Sequence, residues 1–195
     1  MNLQGILNEN INQDTISSMS QVLGADEGSV SNAVQAALPM MIGALARNSS
    51  QTDGAQALDN ALANDHDGGI LGDLMGYLGG GGSESGAGIL GHIFGGKQSA
   101  VEQGISQHSG LDMATVAKLL MMLAPIVMGA LGKAKREQGL DANGVAEALE
   151  NERQQQESSA SPMIGMLSQL LDRDQDGSAM DDIFRMVGGM MNKRG

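Results

Sequence analysis

Residues 110–132, GLDMATVAKLLMMLAPIVMGALG, repeat the pattern of residues 24–46, GADEGSVSNAVQAALPMMIGALA, at an offset of 86. The identical pairs are Gly24/Gly110, Asp26/Asp112, Val30/Val116, Pro39/Pro125, Gly43/Gly129, Ala44/Ala130 and Leu45/Leu131. After a shift of five residues the similarity resumes between residues 55–60 and 146–151. Self-similarity at a fixed spacing predicts a duplicated chain.

Each repeated unit is predicted to be a helix, a turn and a second helix. Residues 14–23 space their apolar side chains on one helical face, and Gly24 stands where a left-handed C-cap is needed. Asp26 and Asp112 are placed to cap the helix that follows. The shared proline should kink that helix, and the shared glycine four residues later leaves room for another helix to approach closely.

Between the units lies a Gly-rich connection, residues 68–96, in which 13 of 29 residues are glycine. Its centre, GGGGSESGAG, has the composition of a flexible linker. The flanking ILGDLMGYL and ILGHIF are predicted to be short helices that order only by packing, because glycine costs a helix about 1 kcal/mol per residue. Residues 150–161, ENERQQQESSAS, are either a linker or an exposed helix end. The predicted organisation is unit 1 at 1–67, the connection at 68–96, unit 2 at 97–151 and a C-terminal module at 162–195.

The composition excludes several kinds of protein. The 195 residues include no cysteine, so disulfides, thiolate zinc sites and cysteine nucleophiles are excluded. There are 11 Lys and Arg against 23 Asp and Glu, and a net charge of −12 argues against nucleic acid or an anionic membrane as the main partner. Aromatic residues are 2% of the chain, so the core must be aliphatic and Met-rich. Alternating β-branched segments do not stand out, and the expected fold class is all-α.

The location expected from the sequence is cytoplasmic. The first ten residues lack the basic and long apolar regions of a secretory signal. The longest apolar run, Leu119–Leu131, has 13 residues and is too short to cross a bilayer, so no transmembrane segment is expected.

The stretch LGADEGSVSNAV, residues 23–34, also resembles the turn and recognition helix of a DNA-binding helix-turn-helix. A duplex reader needs cations for phosphates, and no Lys or Arg precedes Arg47. The sequence therefore predicts that nucleic acid is not a partner.

A calcium loop is predicted in the tail, where DRDQDGSAMDD at 172–182 begins like an EF-hand loop. Ca²⁺ needs six to eight oxygen ligands, and carboxylates at alternate positions converge when the chain wraps around the ion. The predicted ligands are Asp172, Asp174, Asp176, Ser178, Asp181 and Asp182. Position twelve is Ile183 instead of the usual bidentate Glu, which weakens the expected affinity. The alternative is a turn at Asp176-Gly177 followed by a helix cap.

A shorter copy of this loop occurs in unit 1. Asp65, Asp67, Gly68 and Asp73 match Asp174, Asp176, Gly177 and Asp182 at an offset of 109, but Ala63 replaces the first ligand. We interpret the copy as a decayed loop or a plain turn.

A catalytic site is not predicted. His66, His92 and His108 are isolated in the sequence, without zinc-ligand spacing, and His92 is expected to be a half-buried helix residue. Nucleophile elbows, phosphate loops and dinucleotide fingerprints do not occur. The protein is therefore expected not to be an enzyme.

The stretch GILGHIFGGKQSAVEQGISQHSGLDMATVAKLLMMLAPIVMGALG, residues 88–132, resembles the bacterial family called domain of unknown function 937, in the YidB-like group. ILGHIFGGKQ and LAPIVMGALG are its most specific parts, and the resemblance covers residues 14–151. It implies an all-helical bacterial protein and supplies neither a reaction nor an active site.

Two functional hypotheses follow from the sequence. The first is a non-enzymatic, calcium-associated structural or protein-interaction role. The second is self-assembly or docking to a helical partner through the apolar faces of MGYLGGGG, residues 75–82, and GILGHIFGG, residues 88–96. Both assume duplicated helix-turn-helix units in a helical bundle, a Gly-rich linker and a C-terminal helix-loop-helix.

Overall fold

The computed structural model describes residues 3–80 and 86–159, and every regular element in these ranges is helical. The α-helices are α1 (Leu3–Asn10), α2 (Gln13–Leu23), α3 (Glu27–Ser49), α4 (Thr52–Asn64), α5 (Leu74–Gly79), α6 (Gly86–Phe94), α7 (Gln98–Ser109), α8 (Met113–Gln138) and α9 (Ala142–Ser159). Short 3₁₀ turns occur at Gly69–Asp73 and Gly95–Lys97. The predicted all-α class is confirmed.

The chain divides into two compact units, Met1–Arg153 and Gln154–Gly195. Both predicted repeats and the Gly-rich connection lie in the first unit, which is the one described below. Of the second unit, the described residues are 154–159, at the end of α9.

Local sequence signals start and end the helices where the pattern predicts. Gly24 ends α2 and Gly110 ends α7, each with a positive φ, at 63° and 78°. Such φ values suit glycine, which has no β-carbon to clash with the following carbonyl. Asp26 accepts a hydrogen bond from the Ser29 backbone N–H at 2.9 Å, and Asp112 accepts one from that of Thr115 at 3.0 Å. Each bond satisfies a backbone donor that a helix N-terminus leaves free.

The two sequence repeats, unit 1 at 1–67 and unit 2 at 97–151, have the same order of elements. In each, a short helix ends at a left-handed glycine, an aspartate caps a long helix with an internal proline, and a third helix follows. Helix α1 packs on α8, and α6 packs on both α8 and α3. The shared order of elements supports the predicted duplication, which stays a prediction about the origin of the chain.

The hydrophobic core surrounds α8. Residues 122–132 of this helix are all buried, and α1, α2, α3, α4, α6 and α7 pack against it. Fully buried aliphatic side chains from α3, such as Val30 and Ile42, contribute to the same core. Burial of aliphatic area, at roughly 25 cal/mol per Å², is the main stabilising term in a core with so few aromatic rings.

Among the described helices, α3 and α8 are long and apolar enough to cross a membrane by length and composition alone. In the structure, 56% and 72% of their most apolar 18-residue windows are buried. Buried core helices of globular proteins can be equally long and apolar, so length and composition do not decide whether α3 and α8 cross a membrane. The expectation of no transmembrane segment therefore stays a prediction.

The predicted flexible linker is too long. Residues 86–88, assigned to it by composition, form the first turn of α6. Gly86 is buried and lies so close to α8 that a β-carbon on it would collide with the Met121 backbone carbonyl. Glycine is therefore required there for close packing, and residues 81–85 of the predicted linker lie outside the described residues. The stretch 150–159 is helical, which fits the alternative of a helix end.

The shared glycine is predicted to leave room for a close approach by another helix, and among the described residues a close approach occurs only at Gly129, in the second repeat. At Gly129 of α8 the approaching segment is the 3₁₀ turn, since a β-carbon there would lie 2.5 Å from Ile70 Cγ2. A β-carbon at Gly43 of α3 would have only Arg47 Nη1, at 3.8 Å, within 4 Å outside the helix backbone, so no other described segment lies directly against this glycine. The expectation of a helix approaching at both glycines is therefore wrong.

Candidate functional site

A groove of about 1200 Å³ lies among the described residues of the compact unit Met1–Arg153. One wall is α4 and the other is α6, and residues 65–70 close one end. Pro125 and Met128 of α8 contribute to the floor. We refer to this feature as the α4–α6 groove.

The α6 wall is fixed by packing and by a side-chain cap. Leu90 and Ile93 point into the core and are almost fully buried. The Asn48 side-chain nitrogen, on α3, donates to the carbonyl oxygens of His92 and Ile93 at 2.8 and 2.9 Å. These bonds satisfy carbonyls that the C-terminus of α6 leaves free, and they tie that end of the wall to α3.

The α4 wall is anchored to α8. Leu62 is buried in the core, and Lys135 Nζ lies 2.7 Å from Asp59 Oδ1 and donates to the Asp59 carbonyl at 3.2 Å. Both charged side chains of this pair are largely buried, at 16% and 26% exposed. The face of α4 that lines the groove carries Ala57, Leu58 and Ala61, which remain partly or fully exposed.

The closed end of the groove crosses α8 at a glycine. A β-carbon on Gly132 would collide with the His66 backbone carbonyl, so only glycine fits below this segment. Gly68 has a φ of 93°, and Asp67 Oδ1 accepts the Gly69 N–H at 2.9 Å, which closes a tight turn. Asp67 also pairs with Arg136 of α8 at 3.2 Å.

The polar side chains in the lining include Asp65 and Asp67 at the closed end, together with His66, Tyr77 and His92. Burial lowers the pKa of His66, with Asp65 opposing the shift, and this favours the neutral imidazole. Burial raises the pKa of Tyr77 to about 12, and its hydroxyl is buried with no hydrogen-bond partner among the described residues. His92 is exposed on α6, which makes the prediction of a half-buried His92 wrong.

The chemistry of the lining is that of an apolar contact surface. Ala, Leu, Ile, Gly, Pro, Met and Phe provide most of it. Ser, Thr, Cys, Lys and Arg are absent from the residues found to line it in the described part of the chain. Such a surface can bury apolar side chains, whereas phosphate binding calls for cationic or hydroxyl donors.

The predicted calcium ligands are not part of this site. Asp172, Asp174, Asp176, Ser178, Asp181 and Asp182 lie outside the described residues, and the calcium loop stays a prediction. Within the described residues no group of three or more His, Asp or Glu side chains could hold a metal ion.

The shorter loop copy in unit 1 has the geometry of a turn. The Asp67 carboxylate accepts the Gly69 backbone N–H and pairs with Arg136, and Asp73 Oδ1 accepts the Gly76 N–H at 3.0 Å as the cap of α5. Asp65 is exposed at the end of α4. The three carboxylates are therefore not directed at a common point, in agreement with the interpretation as a plain turn.

The groove was only partly foreseeable. The predicted docking segment GILGHIFGG provides most of one wall, including Ile89, His92 and Ile93, whereas MGYLGGGG provides Tyr77. Sequence reasoning missed the α4 wall and Asn48. Small residues at Gly54, Ala57 and Ala61 recur on one face of α4 and are the only sequence signal for that wall.

Comparison with known proteins identifies a family. The family model described as bacterial protein of unknown function (DUF937) matches residues 5–134, more than half of the chain, and the chain belongs to this family. The match includes α2 to α7 and most of α8. No curated protein and no solved structure matches the chain.

Proposed function

We propose that this member of the DUF937 family is a non-enzymatic protein-interaction module whose α4–α6 groove binds the apolar face of a partner helix. The observation that carries the proposal is the lining of the groove, in which partly exposed aliphatic and small side chains face each other from two helices. Helix-in-groove recognition uses such a surface, with the partner inserting side chains spaced three or four residues apart.

The size of the groove favours a helix over a small ligand. Its volume of about 1200 Å³ exceeds the roughly 300–1,000 Å³ that is usual for small-molecule pockets. Ala57, Ala61 and Gly88 are too small to prevent close approach of a second backbone. The 13 residues of α4 span roughly 20 Å, which is about four turns of a partner helix.

The walls need little rearrangement to bind. Asn48 holds the end of α6, and the Lys135–Asp59 pair holds α4, before any partner arrives. A preorganised site avoids part of the entropic cost of association. Because both walls are held in place, the groove is better explained as a preformed docking site than as a gap between two loosely packed helices.

Peptide binding to the groove can be measured by the fluorescence of Tyr77. It is the only tyrosine, the chain has no tryptophan, and it lines the groove, so its fluorescence reports on this site alone. The probes are two amphipathic peptides of about 18 residues with the same leucine stripe, one with Lys and one with Glu on the polar face. We expect at least one peptide to change the Tyr77 emission saturably.

A matched pair of variants locates the binding. Ala57→Gln places a polar side chain in the groove, and Ala63→Gln makes the same change at an exposed position of α4 outside it. Binding should weaken at least about tenfold in Ala57→Gln, since roughly 1.4 kcal/mol of contact is a tenfold change, and stay unchanged in Ala63→Gln. Equal binding by both variants, or no binding of either peptide at millimolar concentration, would contradict the proposal.

Calcium binding by the tail loop is a second proposal, and the Asp-x-Asp-x-Asp-Gly sequence at 172–177 supports it. Calorimetric titration of the full chain with CaCl₂ should release heat that Asp174→Ala with Asp176→Ala removes. The matched control is Asp65→Asn with Asp67→Asn, in the shorter copy, which should keep the heat. A wild-type chain without binding heat at millimolar calcium would overturn this proposal.

A further inference from the structure

We infer that the helix accepted by the α4–α6 groove is basic, with Lys or Arg side chains flanking its apolar stripe. The inference rests on the proposed function and adds the charge of the partner to it. The juxtaposition that carries it is two carboxylates and the C-terminus of α4 at the same apolar groove.

The first source of negative potential is Asp65. It lines the groove at the C-cap of α4, is exposed, and forms no hydrogen bond or ion pair through its carboxylate with the described residues. Its charge is therefore available to a partner. Asp67 also lines the groove, and its ion pair with Arg136 is weak because both side chains are more than half exposed, at 60% and 57%.

The second source is the backbone. The C-terminus of α4, through Asn64, and the C-terminus of α6, through His92 and Ile93, both line the groove. A helix C-terminus carries about half a negative charge from its aligned peptide dipoles. The last turn of α4 has no basic residue to offset this charge. The end of α4 therefore adds to the field of Asp65 and Asp67, whereas the Asn48 side chain already binds the His92 and Ile93 carbonyls at the end of α6.

Positive charge at the lining is scarce. None of the residues found to line the groove is Lys or Arg, and the nearby Lys135 already pairs with Asp59. Lys133 and Arg136 of α8 lie beside Gly68 at the closed end, and Arg136 pairs with Asp67. Burial lowers the pKa of His66, which favours the neutral imidazole over a cation that would offset the carboxylates. The net charge of −12 adds long-range attraction for a cationic partner. An acidic helix would face repulsion from the same groups.

The two peptides described above test the inference. The Lys peptide should bind at least about tenfold more tightly than the Glu peptide at low salt, and about 0.5 M salt should reduce the difference because the charges are exposed. Asp65→Asn should weaken binding of the Lys peptide about threefold. Glu9→Gln, the same charge change on α1 away from the groove, should leave its affinity unchanged and controls for the net charge of the chain.

The outcomes separate the inference from the proposed function. If the Glu peptide binds as tightly as the Lys peptide and Ala57→Gln weakens both, the groove is a docking site and the inference about charge is wrong. If Asp65→Asn and Glu9→Gln weaken binding of the Lys peptide equally, the preference comes from the net charge of the chain and not from charges at the groove. The inference is then also wrong. If neither peptide binds, the proposed function itself fails.

Discussion

Helices α3 and α8 begin with the same cap and contain the same proline and glycine, yet the protein covers them to different extents. Pro39 and Met40 of α3 are exposed, whereas their counterparts Pro125 and Ile126 of α8 are buried. The chain after α4 crosses α8, and the described residues place no comparable segment on Gly43 of α3. The same local sequence can therefore serve as a one-sided or as a central helix.

The residues Gly132 and Ala46 occupy equivalent positions in α8 and α3 and reflect this difference in packing. Gly132 lies under the His66 carbonyl, and the equivalent residue of α3 is Ala46, whose β-carbon is accommodated. Where a backbone segment lies directly against the helix, glycine is needed, and where the covering atoms leave room for a β-carbon, alanine is the better helix former. The sequence differences between the repeats thus follow the differences in packing.

The largest expected effect comes from core truncation. Ile126→Ala should lower the free energy of unfolding by about 2–5 kcal/mol, because Ile126 is fully buried and a cavity remains. Met40→Ala, at the equivalent position of α3, should change it by less than about 0.5 kcal/mol, since Met40 is 40% exposed. Urea unfolding followed by circular dichroism measures both. Similar losses would mean that α3 is as enclosed as α8.

Glycine substitutions should have opposite signs in the two helices. Gly132→Ala should destabilise the protein by about 1–3 kcal/mol, because the new β-carbon must displace backbone at His66. Gly43→Ala should stabilise it by about 0.5–1 kcal/mol, since the site has space and alanine loses less conformational entropy. Melting temperatures of both variants test this, and a stabilising Gly132→Ala would contradict the crossing.

The N-caps of α3 and α8, Asp26 and Asp112, should contribute similar amounts to the free energy of unfolding. Asp26→Ala should cost about 1 kcal/mol because it removes the acceptor for the Ser29 N–H. Asp26→Asn keeps an acceptor and should cost much less. Asp112→Ala should destabilise the protein in the same direction, and chemical denaturation can compare the three variants. An unaffected stability in Asp26→Ala would show that tertiary packing alone fixes the start of α3.

The smallest expected effect is a difference in pH dependence at the second cap. The Thr115 hydroxyl, followed by its backbone N–H, lowers the pKa of Asp112 from 3.8. A carboxyl whose pKa is lower in the folded state stabilises that state above pH 3.8, and the stabilisation is lost as the pH falls through the folded-state pKa. The stability difference between wild type and Asp112→Asn should therefore shrink in acid, and a constant difference would contradict the assigned bond.

Part of the candidate site could be predicted from the sequence. The apolar face of GILGHIFGG was identified by pattern, and it forms the α6 wall. The α4 wall could not be found in this way, because its lining is alanine and glycine, which carry little hydrophobic signal. The bond from Asn48 to His92 joins residues 44 apart, and no local pattern encodes it.

The sequence by itself determined the all-α class, the end of α2 at Gly24, and the starts of α3 and α8 after Asp26 and Asp112. These features depend on hydrogen bonds and φ preferences within three or four residues, such as Asp112 with Thr115 or the left-handed Gly24. Only the tertiary structure decided that α8 is central, that Gly132 is crossed, and that α4 and α6 enclose a groove. Those features depend on contacts between segments far apart in the chain, whose pairing follows from how all apolar faces are buried at once.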